Sequence, residues 1–235
     1  MNDNSRKDFQ QAGFVSIVIP VYNNAETLLE LYAALTHHLC GHLFEVLFVD
    51  DASPDDSFLI LQDLASRDSR VRFIHLVKNV GQNRAIWQGF AACKGDKIVV
   101  MDADLQDPPA AVLGLLAELD RGWDVVFAGR RGNYESGFRL FTSRVFKWLI
   151  HKTAAVPQDA GLFMALRRNV LKSIPRSSYL VGMIGFSHAR MCSIPVIRNR
   201  RERGVSAYSF WKRLRLGLRA VGAILWIRAR KIKLD

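Results

Sequence analysis

Residues 97–109 read KIVVMDADLQDPP, an apolar run followed by three aspartates within six positions. The run KIVV predicts a buried strand, and the aspartates begin just after it. Carboxylates this close together repel one another unless a cation lies among them. The stretch therefore predicts a strand that ends, at its carboxyl side, in a charged site.

Apolar, β-branched runs alternate with segments of helical spacing on both sides of this stretch. The predicted strands cover 15–22, 44–51, 71–77, 97–104 and 123–129, with a short one after residue 159. The predicted helices cover 25–39, 58–68, a segment ending at Gly95, 108–122, and a segment ending near 174. The first helix has an apolar stripe formed by Leu28, Leu31, Leu35 and Leu39. This alternation predicts an α/β fold, Rossmann-like and layered α/β/α, with a mainly parallel central sheet.

Three of the predicted strands end in polar or acidic segments, which read VYNN, VDDASPDD and MDADLQD. In an open parallel sheet the carboxyl ends of the strands meet at one edge, and ligands bind there. A helix cap would explain one acid in each segment, such as Asp55 or Asp107. It does not explain the acid pairs at 50/51 and 102/104. We therefore expect a ligand site at this edge.

The acids after the fourth predicted strand indicate a site for a hard divalent cation. If that strand runs on to residue 104, Asp102 and Asp104 point the same way, because side chains alternate along a strand. Their carboxylates, with the side-chain amide of Gln106, suit Mg²⁺ or Mn²⁺. Such ions usually take their other ligands from substrate phosphates and water. The prediction is that the acids hold a metal ion and that the ion holds a diphosphate.

The motifs VSIVIPVYNN, FVDDASPDDS and MDADLQDPP, in this order and spacing, resemble the inverting family 2 glycosyltransferases with the GT-A fold. The form DADLQDPP is typical of the dolichyl- and polyprenyl-phosphate sugar transferases of that family, and the similarity extends over 15–221. The resemblance implies a metal-dependent enzyme that moves a sugar, with inversion, from a UDP- or GDP-sugar to a lipid-linked acceptor. Polyprenyl phosphate is the favoured acceptor.

The resemblance also implies roles for individual positions. Nucleotide contacts fall to Pro20, Tyr22, Asn24, Asp50, Asp51, Asp102 and Arg203, and metal ligation to Asp102, Asp104 and Gln106. Acceptor-phosphate contacts fall to Arg130, Arg139, Ser143, Ser206 and Tyr208, and catalytic roles to Asp102, Asp104, Asp159 and Arg139. The chain departs from the family at Asn24, where an acid is usual, and at Ala207, which replaces the usual lysine.

The acceptor decides whether the chemistry needs a base. A lipid phosphate is already an anion, so arginines such as Arg130 and Arg139 would only have to position it. A glycan hydroxyl, as in polysaccharide or O-antigen assembly, would need a carboxylate base, for which Asp159 is the candidate. Each role has a structural alternative. Asp159 would instead cap a helix or turn, and the arginines would instead belong to a solvated cationic loop.

The positive charge of the chain is concentrated in its C-terminal part. Residues 198–233 contain twelve Lys and Arg and one acid, whereas the rest contains 21 basic and 21 acidic side chains. The segment 206–235 has the pattern of an amphipathic helix that lies on an anionic membrane surface. Packing on the domain or a contact in a homo-oligomer would give the same pattern. A third hypothesis is a non-catalytic protein that binds membrane or nucleic acid through this charge; the intact acidic motifs argue against it, and we expect no nucleic-acid partner.

The sequence predicts three parts: a flexible N-terminus over 1–13, a GT-A domain over 14–205, and the basic amphipathic segment over 206–235. The polar N-terminus lacks the apolar core of a signal peptide, and no run of about 18 apolar residues occurs. Three scattered cysteines do not form a disulfide framework. We therefore expect a cytoplasmic protein bound peripherally to the inner face of the membrane.

Overall fold

The computed structural model describes residues 13–131, 156–176, 179–198 and Gly222. The strands are β1 Val15–Val21, β2 Phe44–Asp50, β3 Val71–His75, β4 Lys97–Val100, β5 Val125–Arg131, β6 Met164–Arg167 and β7 Met191–Ile197. The helices are α1 Ala25–His38, α2 Ser57–Arg67, α3 Gln82–Ala92, α4 Ala111–Asp120 and α5 Leu180–Ile184, with 3₁₀ turns at Arg168–Lys172 and Gly185–Ser187. Within these ranges no helix is long and apolar enough to cross a bilayer.

The seven strands form one sheet in the order β3-β2-β1-β4-β6-β5-β7. Neighbouring strands are parallel except at β6, which runs antiparallel to both β4 and β5. The predicted mainly parallel sheet is therefore confirmed. Because β6 is inserted in reverse, β4, β5 and β7 still point their carboxyl ends to the same edge as β1, β2 and β3.

Helices cover both faces of the sheet, as the α/β/α prediction requires. One face packs against α1, α2 and α4, and the other against α3, α5 and the turn Arg168–Lys172. Strands buried on both faces are mostly apolar, which is why β1, β2 and β4 are largely apolar runs in the sequence. The predicted stripe of the first helix is confirmed, since Leu28, Leu31, Leu35 and Leu39 are all fully buried.

Several boundaries differ from the prediction for physical reasons. Strand β4 ends at Val100 rather than 104, and α3 ends at Ala92 rather than at Gly95. A Cβ on Gly95 would lie 2.5 Å from both the Phe14 carbonyl oxygen and the Ser16 amide nitrogen, so this glycine allows a close backbone approach and does not end a helix. The predicted helix after β6 is only a 3₁₀ turn.

At the amino end of the sheet, a buried carboxylate ties three elements together. Glu45 of β2 accepts hydrogen bonds from the Ser16 hydroxyl (2.6 Å), the Arg72 guanidinium (2.7 Å) and the amide of Lys94 (2.6 Å). Burial alone would raise the pKa of Glu45, but these donors outweigh it and hold the pKa below its ordinary value. Both oxygens of this carboxylate have partners, so Glu45 serves to join β1, β2, β3 and the segment after α3.

Candidate active site

The segments that follow β1, β2 and β4 meet at the carboxyl edge of the sheet, as the sequence predicts. The amide of Asn23 donates to the Ser53 hydroxyl (3.1 Å), which joins the first segment to the second. The Thr27 hydroxyl donates to the Ala103 carbonyl (2.6 Å), which joins the first to the third. These contacts bring together parts of the chain that lie up to 76 residues apart.

The turn after β1 carries three predicted nucleotide residues. Pro20 is buried inside β1, whereas Tyr22 is 44% exposed at the edge. The side-chain oxygen of Asn24 accepts from the amide of Tyr22 (3.1 Å), and the intervening Asn23 has a positive φ of 58°. Asn24 thus holds the turn that presents the Tyr22 ring, a task for which a short amide side chain is well suited.

Asp50 and Asp51 organise the loops around them. The buried Asp50 carboxylate accepts from the amide of Ser53 (3.0 Å) and lies 2.7 Å from His75 Nδ1. The Asp51 carboxylate accepts from the consecutive amides of Val80 (2.7 Å) and Gly81 (2.8 Å). The first acid therefore links β2 to β3, and the second fixes the loop that leads into α3.

His75 is a residue of this edge that the sequence reading missed. Its ring is 41% exposed, is tied to Asp50, and contacts the ring of Phe58 with a centroid distance of 4.8 Å. Its position at the end of β3, next to the acids that end β2, is a signal that the strand pattern already contained.

The acids after β4 lie on a turn and not on a strand. The prediction that strand alternation makes Asp102 and Asp104 point the same way is therefore wrong. Asp102 Oδ1 accepts from the side-chain amide of Gln82 (2.6 Å), and Asp104 Oδ1 accepts from the backbone amide of Gln106 (3.2 Å). Leu105, which lies between Asp104 and Gln106, has a positive φ of 58°. The turn keeps both carboxylates partly exposed at the edge.

A divalent ion would find hard oxygen ligands on this turn but not a complete protein cage. Across the described ranges, no group of three or more His, Cys, Asp or Glu side chains is arranged to hold a metal. Asp102 and Asp104 offer carboxylate oxygens, and Mg²⁺ or Mn²⁺ commonly takes its remaining ligands from substrate phosphates and water. The donor set therefore fits a metal that arrives with a diphosphate.

An arginine from the far end of the sheet occupies this acidic edge. Arg198 directly follows β7, and its side chain is only 14% exposed. Its Nε lies 2.5 Å from Asp107 Oδ1, and its Nη2 lies 3.4 Å from Asp102 Oδ2. Burial alone would lower the pKa of Arg198, but Asp107, Asp102 and Asp104 hold it above its ordinary value.

The sequence reading counted Arg198 with the basic C-terminal part and so missed its place in the site. Strand β7, which carries Arg198 to this edge, was not among the predicted strands, so no sequence signal pointed to this residue. Asp107 is buried, does not cap α4 through its side chain, and keeps one oxygen, Oδ2, without a hydrogen-bond partner in the described part of the chain. Asp55 does act at a helix start. Its carboxylate accepts a hydrogen bond from the amide of Ala25 (2.9 Å), the first residue of α1.

Asp159 lies at the same edge, beside the end of β5. A Cβ on Gly129 would lie 1.9 Å from Asp159 Oδ2 and 2.4 Å from Ser193 Oγ. Gly129 therefore leaves the space in which the Asp159 carboxylate lies, and no other residue would fit there without displacing it. The buried Ser193 hydroxyl next to it has no hydrogen-bond partner among the described residues.

The remaining predicted residues are only partly covered by the structure. The backbone of Arg130 belongs to β5 and pairs with Val196 of β7. Five predicted site residues lie outside the described ranges, as does the segment 206–235 except Gly222; they are Arg139, Ser143, Arg203, Ser206 and Tyr208. Their roles stay predictions.

Comparisons of the sequence identify its relatives. The model of glycosyl transferase family 2 matches residues 16–174. The undecaprenyl-phosphate 4-deoxy-4-formamido-L-arabinose transferase of Edwardsiella ictaluri is 38% identical over 219 residues, which cover 89% of this chain and 67% of that protein. The enzyme of the same description from Enterobacter sp. is 37% identical, over 86% of this chain and 64% of that protein. The chain thus spans about two thirds of the length of these relatives.

Solved structures share the fold at low sequence identity. Mannosyl-3-phosphoglycerate synthase from Rubrobacter xylanophilus matches with a TM-score of 0.72 and 19% identity, over 100% of this chain and 79% of that chain. Glucosyl-3-phosphoglycerate synthase from Mycobacterium tuberculosis, in complex with Mn²⁺, UDP-glucose and phosphoglyceric acid, matches with a TM-score of 0.69 and 21% identity, over 97% and 84%. The predicted GT-A fold is confirmed, and the chain belongs to glycosyl transferase family 2.

Proposed function

We propose that this protein transfers a sugar from a nucleoside-diphosphate sugar to a polyprenyl phosphate, undecaprenyl phosphate in particular, with inversion at the anomeric carbon. The observation that carries the proposal is the acidic carboxyl edge of the sheet, where the turn with Asp102 and Asp104 meets the segments after β1 and β2. Relatives 36–38% identical to the chain, named as undecaprenyl-phosphate sugar transferases, support the choice of acceptor.

The reaction is a single displacement. An oxygen of the lipid phosphate attacks the anomeric carbon from the face opposite the departing group, and a new carbon–oxygen bond forms there. The bond to the donor's diphosphate breaks, and the nucleoside diphosphate leaves with the electron pair. Since the attacking oxygen is already an anion, no proton is transferred, and the protein's task is to position the two substrates and to neutralise charge.

The leaving diphosphate would be stabilised at the turn after β4. We assign Asp102, Asp104 and Gln106 to a divalent metal, Mg²⁺ or Mn²⁺, which when bound neutralises the charge that develops on the diphosphate. Asp102 is already oriented by Gln82, and Asp104 by the amide of Gln106, so both carboxylates are held in place before a ligand arrives. Such preorganisation reduces the reorganisation that the reaction requires.

The nucleoside would lie beside the turns after β1 and β2. We assign its contacts to the exposed Tyr22 ring and to Asn24, Asp50 and Asp51, with Pro20 supporting the turn from inside β1 and Arg203 reaching the site from the C-terminal part. Asp50 and Asp51 already bind loop amides, so they shape this pocket through the loops they hold as well as through their own oxygens.

The acceptor would approach from the side of β5. We assign its phosphate to Arg130, Arg139, Ser143, Ser206 and Tyr208. The cationic segment 206–235 would rest on an anionic membrane surface on the cytoplasmic side, where the polyprenyl chain of the acceptor is embedded. The strong positive charge of this part of the sequence favours such a surface.

A second candidate function is transfer to a glycan hydroxyl, and the place of Asp159 favours it. The Asp159 carboxylate lies beside Gly129 at the end of β5, where it could accept the proton of an attacking hydroxyl. The variant Asp159→Asn separates the two functions. We expect a modest loss of turnover with a phosphate acceptor, whereas a near-complete loss would favour the hydroxyl acceptor.

The proposal is tested first by binding and then by transfer. UDP, GDP, CDP and dTDP are each added with Mn²⁺ or with chelator, and the unfolding midpoint is recorded. One nucleotide should raise the midpoint in a metal-dependent way, because a ligand of the folded state stabilises it by mass action. The matching radiolabelled donors are then offered with undecaprenyl phosphate in detergent. Product that partitions into organic solvent supports the proposal, and a flat panel with no labelled lipid would refute it.

A further inference from the structure

The guanidinium of Arg198 lies within the acidic edge of the sheet, against the segment that follows β4. It forms a buried pair with Asp107 through Nε and a longer pair with Asp102 through the neighbouring Nη2. Asp104 adds to the negative field around it. Arg198 therefore lies against one of the carboxylates assigned to the metal.

The two pairs of Arg198 differ in the burial of the partner. The contact with Asp107 involves a carboxylate that is 1% exposed, so this buried pair anchors the arginine. The contact with Asp102 is longer (3.4 Å), and the Asp102 side chain is 21% exposed. A guanidinium held by a buried carboxylate and only loosely paired with a second carboxylate can exchange the second partner without leaving its place.

Arg198 cannot lose its charge under ordinary conditions, and its planar fork matches phosphate oxygens as well as carboxylates. A divalent ion that approaches Asp102 alone must displace this cation or bind beside it, and both are unfavourable. A diphosphate makes metal binding favourable, because its negative charges can pair with the guanidinium and the metal at the same time.

We propose that Arg198 is an internal counterion that suppresses metal binding to the empty enzyme and passes from Asp102 to the donor's diphosphate when the donor binds. This inference rests on the proposed function of the same site. It makes the metal and the nucleotide bind cooperatively: each raises the affinity for the other by the same factor, as linkage requires. Arg198 is then a positioning residue for the diphosphate and a barrier to premature metal binding.

The test compares Arg198→Gln with the wild-type protein by titration of Mn²⁺ alone, with free Mn²⁺ followed by electron paramagnetic resonance. We expect the variant to bind nucleotide-free Mn²⁺ about tenfold more tightly, within the usual range of coupling between sites. In the presence of Mn²⁺ it should bind the nucleoside diphosphate more weakly than the wild type. Arg198→Lys keeps the charge and should retain most of the suppression.

Arg190→Gln is the matched control. Arg190 lies just before β7, at the opposite end of the same strand, and pairs with Asp124 (3.3 Å) on a largely exposed surface. Its loss should leave both affinities unchanged. If Arg198→Gln binds Mn²⁺ no more tightly than the wild type, Arg198 only holds Asp107 and the proposal is wrong.

The wild-type protein provides an independent measurement if the variant fails to fold. Its Mn²⁺ affinity with and without the nucleoside diphosphate must differ by about tenfold or more. Equal affinities would contradict the proposed counterion role of Arg198 and would leave the proposed transferase function untouched. If the wild type binds no nucleoside diphosphate at all, the proposed function fails, and the passage to a diphosphate fails with it.

Discussion

The two ends of the sheet carry buried acids of opposite character. At the amino end, Glu45 has partners for both oxygens, in a network with Ser16, Arg72 and the Lys94 amide. At the carboxyl end, Asp107 keeps an oxygen without a partner in the described part of the chain, and its arginine also reaches toward Asp102. The first arrangement joins elements of the fold, whereas the second leaves bonding capacity that no residue of the described ranges uses.

The arginines of the two ends show the same difference. At the amino end, Arg168 donates to the carbonyls of Gly95 and Cys93, both at 2.7 Å, and so satisfies the backbone after α3. Such contacts complete a helix end and hold two elements together. At the carboxyl end, Arg198 pairs with side chains of a loop, where its partners can change. The amino end of the sheet thus carries contacts that stabilise the fold, and the carboxyl end carries the proposed site, as open parallel sheets allow.

The largest expected effect is at the carboxyl end. Asp104→Asn removes a proposed metal ligand but keeps the shape of the turn, so transfer activity should fall about 100-fold or more while the unfolding midpoint changes little. The control is Asp63→Asn, which removes an exposed carboxylate paired with Arg67 (2.7 Å). Activity close to that of the wild type in Asp104→Asn would place the metal, or the chemistry, elsewhere.

Glu45→Gln should give the opposite result. It removes the negative charge that pairs with Arg72 in a buried network. We expect the free energy of unfolding to fall by about 2 kcal/mol, with little change in the KM for the donor. Urea unfolding measures the first quantity, and steady-state kinetics the second. Glu118→Gln, whose partner Arg121 is largely exposed, should cost under about 0.5 kcal/mol. A loss of activity without a loss of stability in Glu45→Gln would end the distinction between the two ends.

Gly129→Ala tests the place of Asp159 without removing any charged group. The new methyl group would lie 1.9 Å from Asp159 Oδ2, so the carboxylate must move. With the phosphate acceptor we expect a loss of turnover of at most about tenfold, comparable to that of Asp159→Asn, because Asp159 takes up no proton there and its displacement disturbs only the positioning of the substrates. Nucleotide binding, measured by calorimetry, should be unchanged. Gly114→Ala, where the nearest atom would be Ile194 Cδ1 at 3.3 Å, is the control. Unchanged turnover in Gly129→Ala would remove Asp159 from the reaction.

The smallest expected effect is a loss of stability in acid. The pKa values of Glu45 and Asp55 are lowered in the folded protein because hydrogen bonds outweigh burial, and that of Asp124 because of its bonds to Arg190. The unfolded chain therefore takes up protons first as the pH falls. The stabilisation is fully present above about pH 4.5, the ordinary range of these groups, and decreases below it. Urea midpoints at pH 7, 5 and 3.5 measure the loss, which should be smaller in Glu45→Gln; a stability that rises toward pH 3.5 would contradict this account.

Much of the fold follows from local patterns. Strands buried on both faces are mostly apolar, so β1, β2 and β4 are visible as largely apolar runs, and the leucine stripe of α1 follows from helical spacing. The convergence of the acidic segments follows from the rule that parallel strands end at one edge. The three motifs were sufficient to identify the family, and the family model covers residues 16–174.

The contacts that complete the site required the tertiary structure. Arg198 reaches Asp107 across 91 positions only because β7 pairs in parallel with β5, and Asp159 reaches Gly129 because the chain returns as the antiparallel β6. Periodicity describes neighbours along an element and contains no information about which strand enters between two others. The sequence alone therefore reveals the acids and the edge where they gather, whereas the long-range pairing of strands decides which cation lies among them.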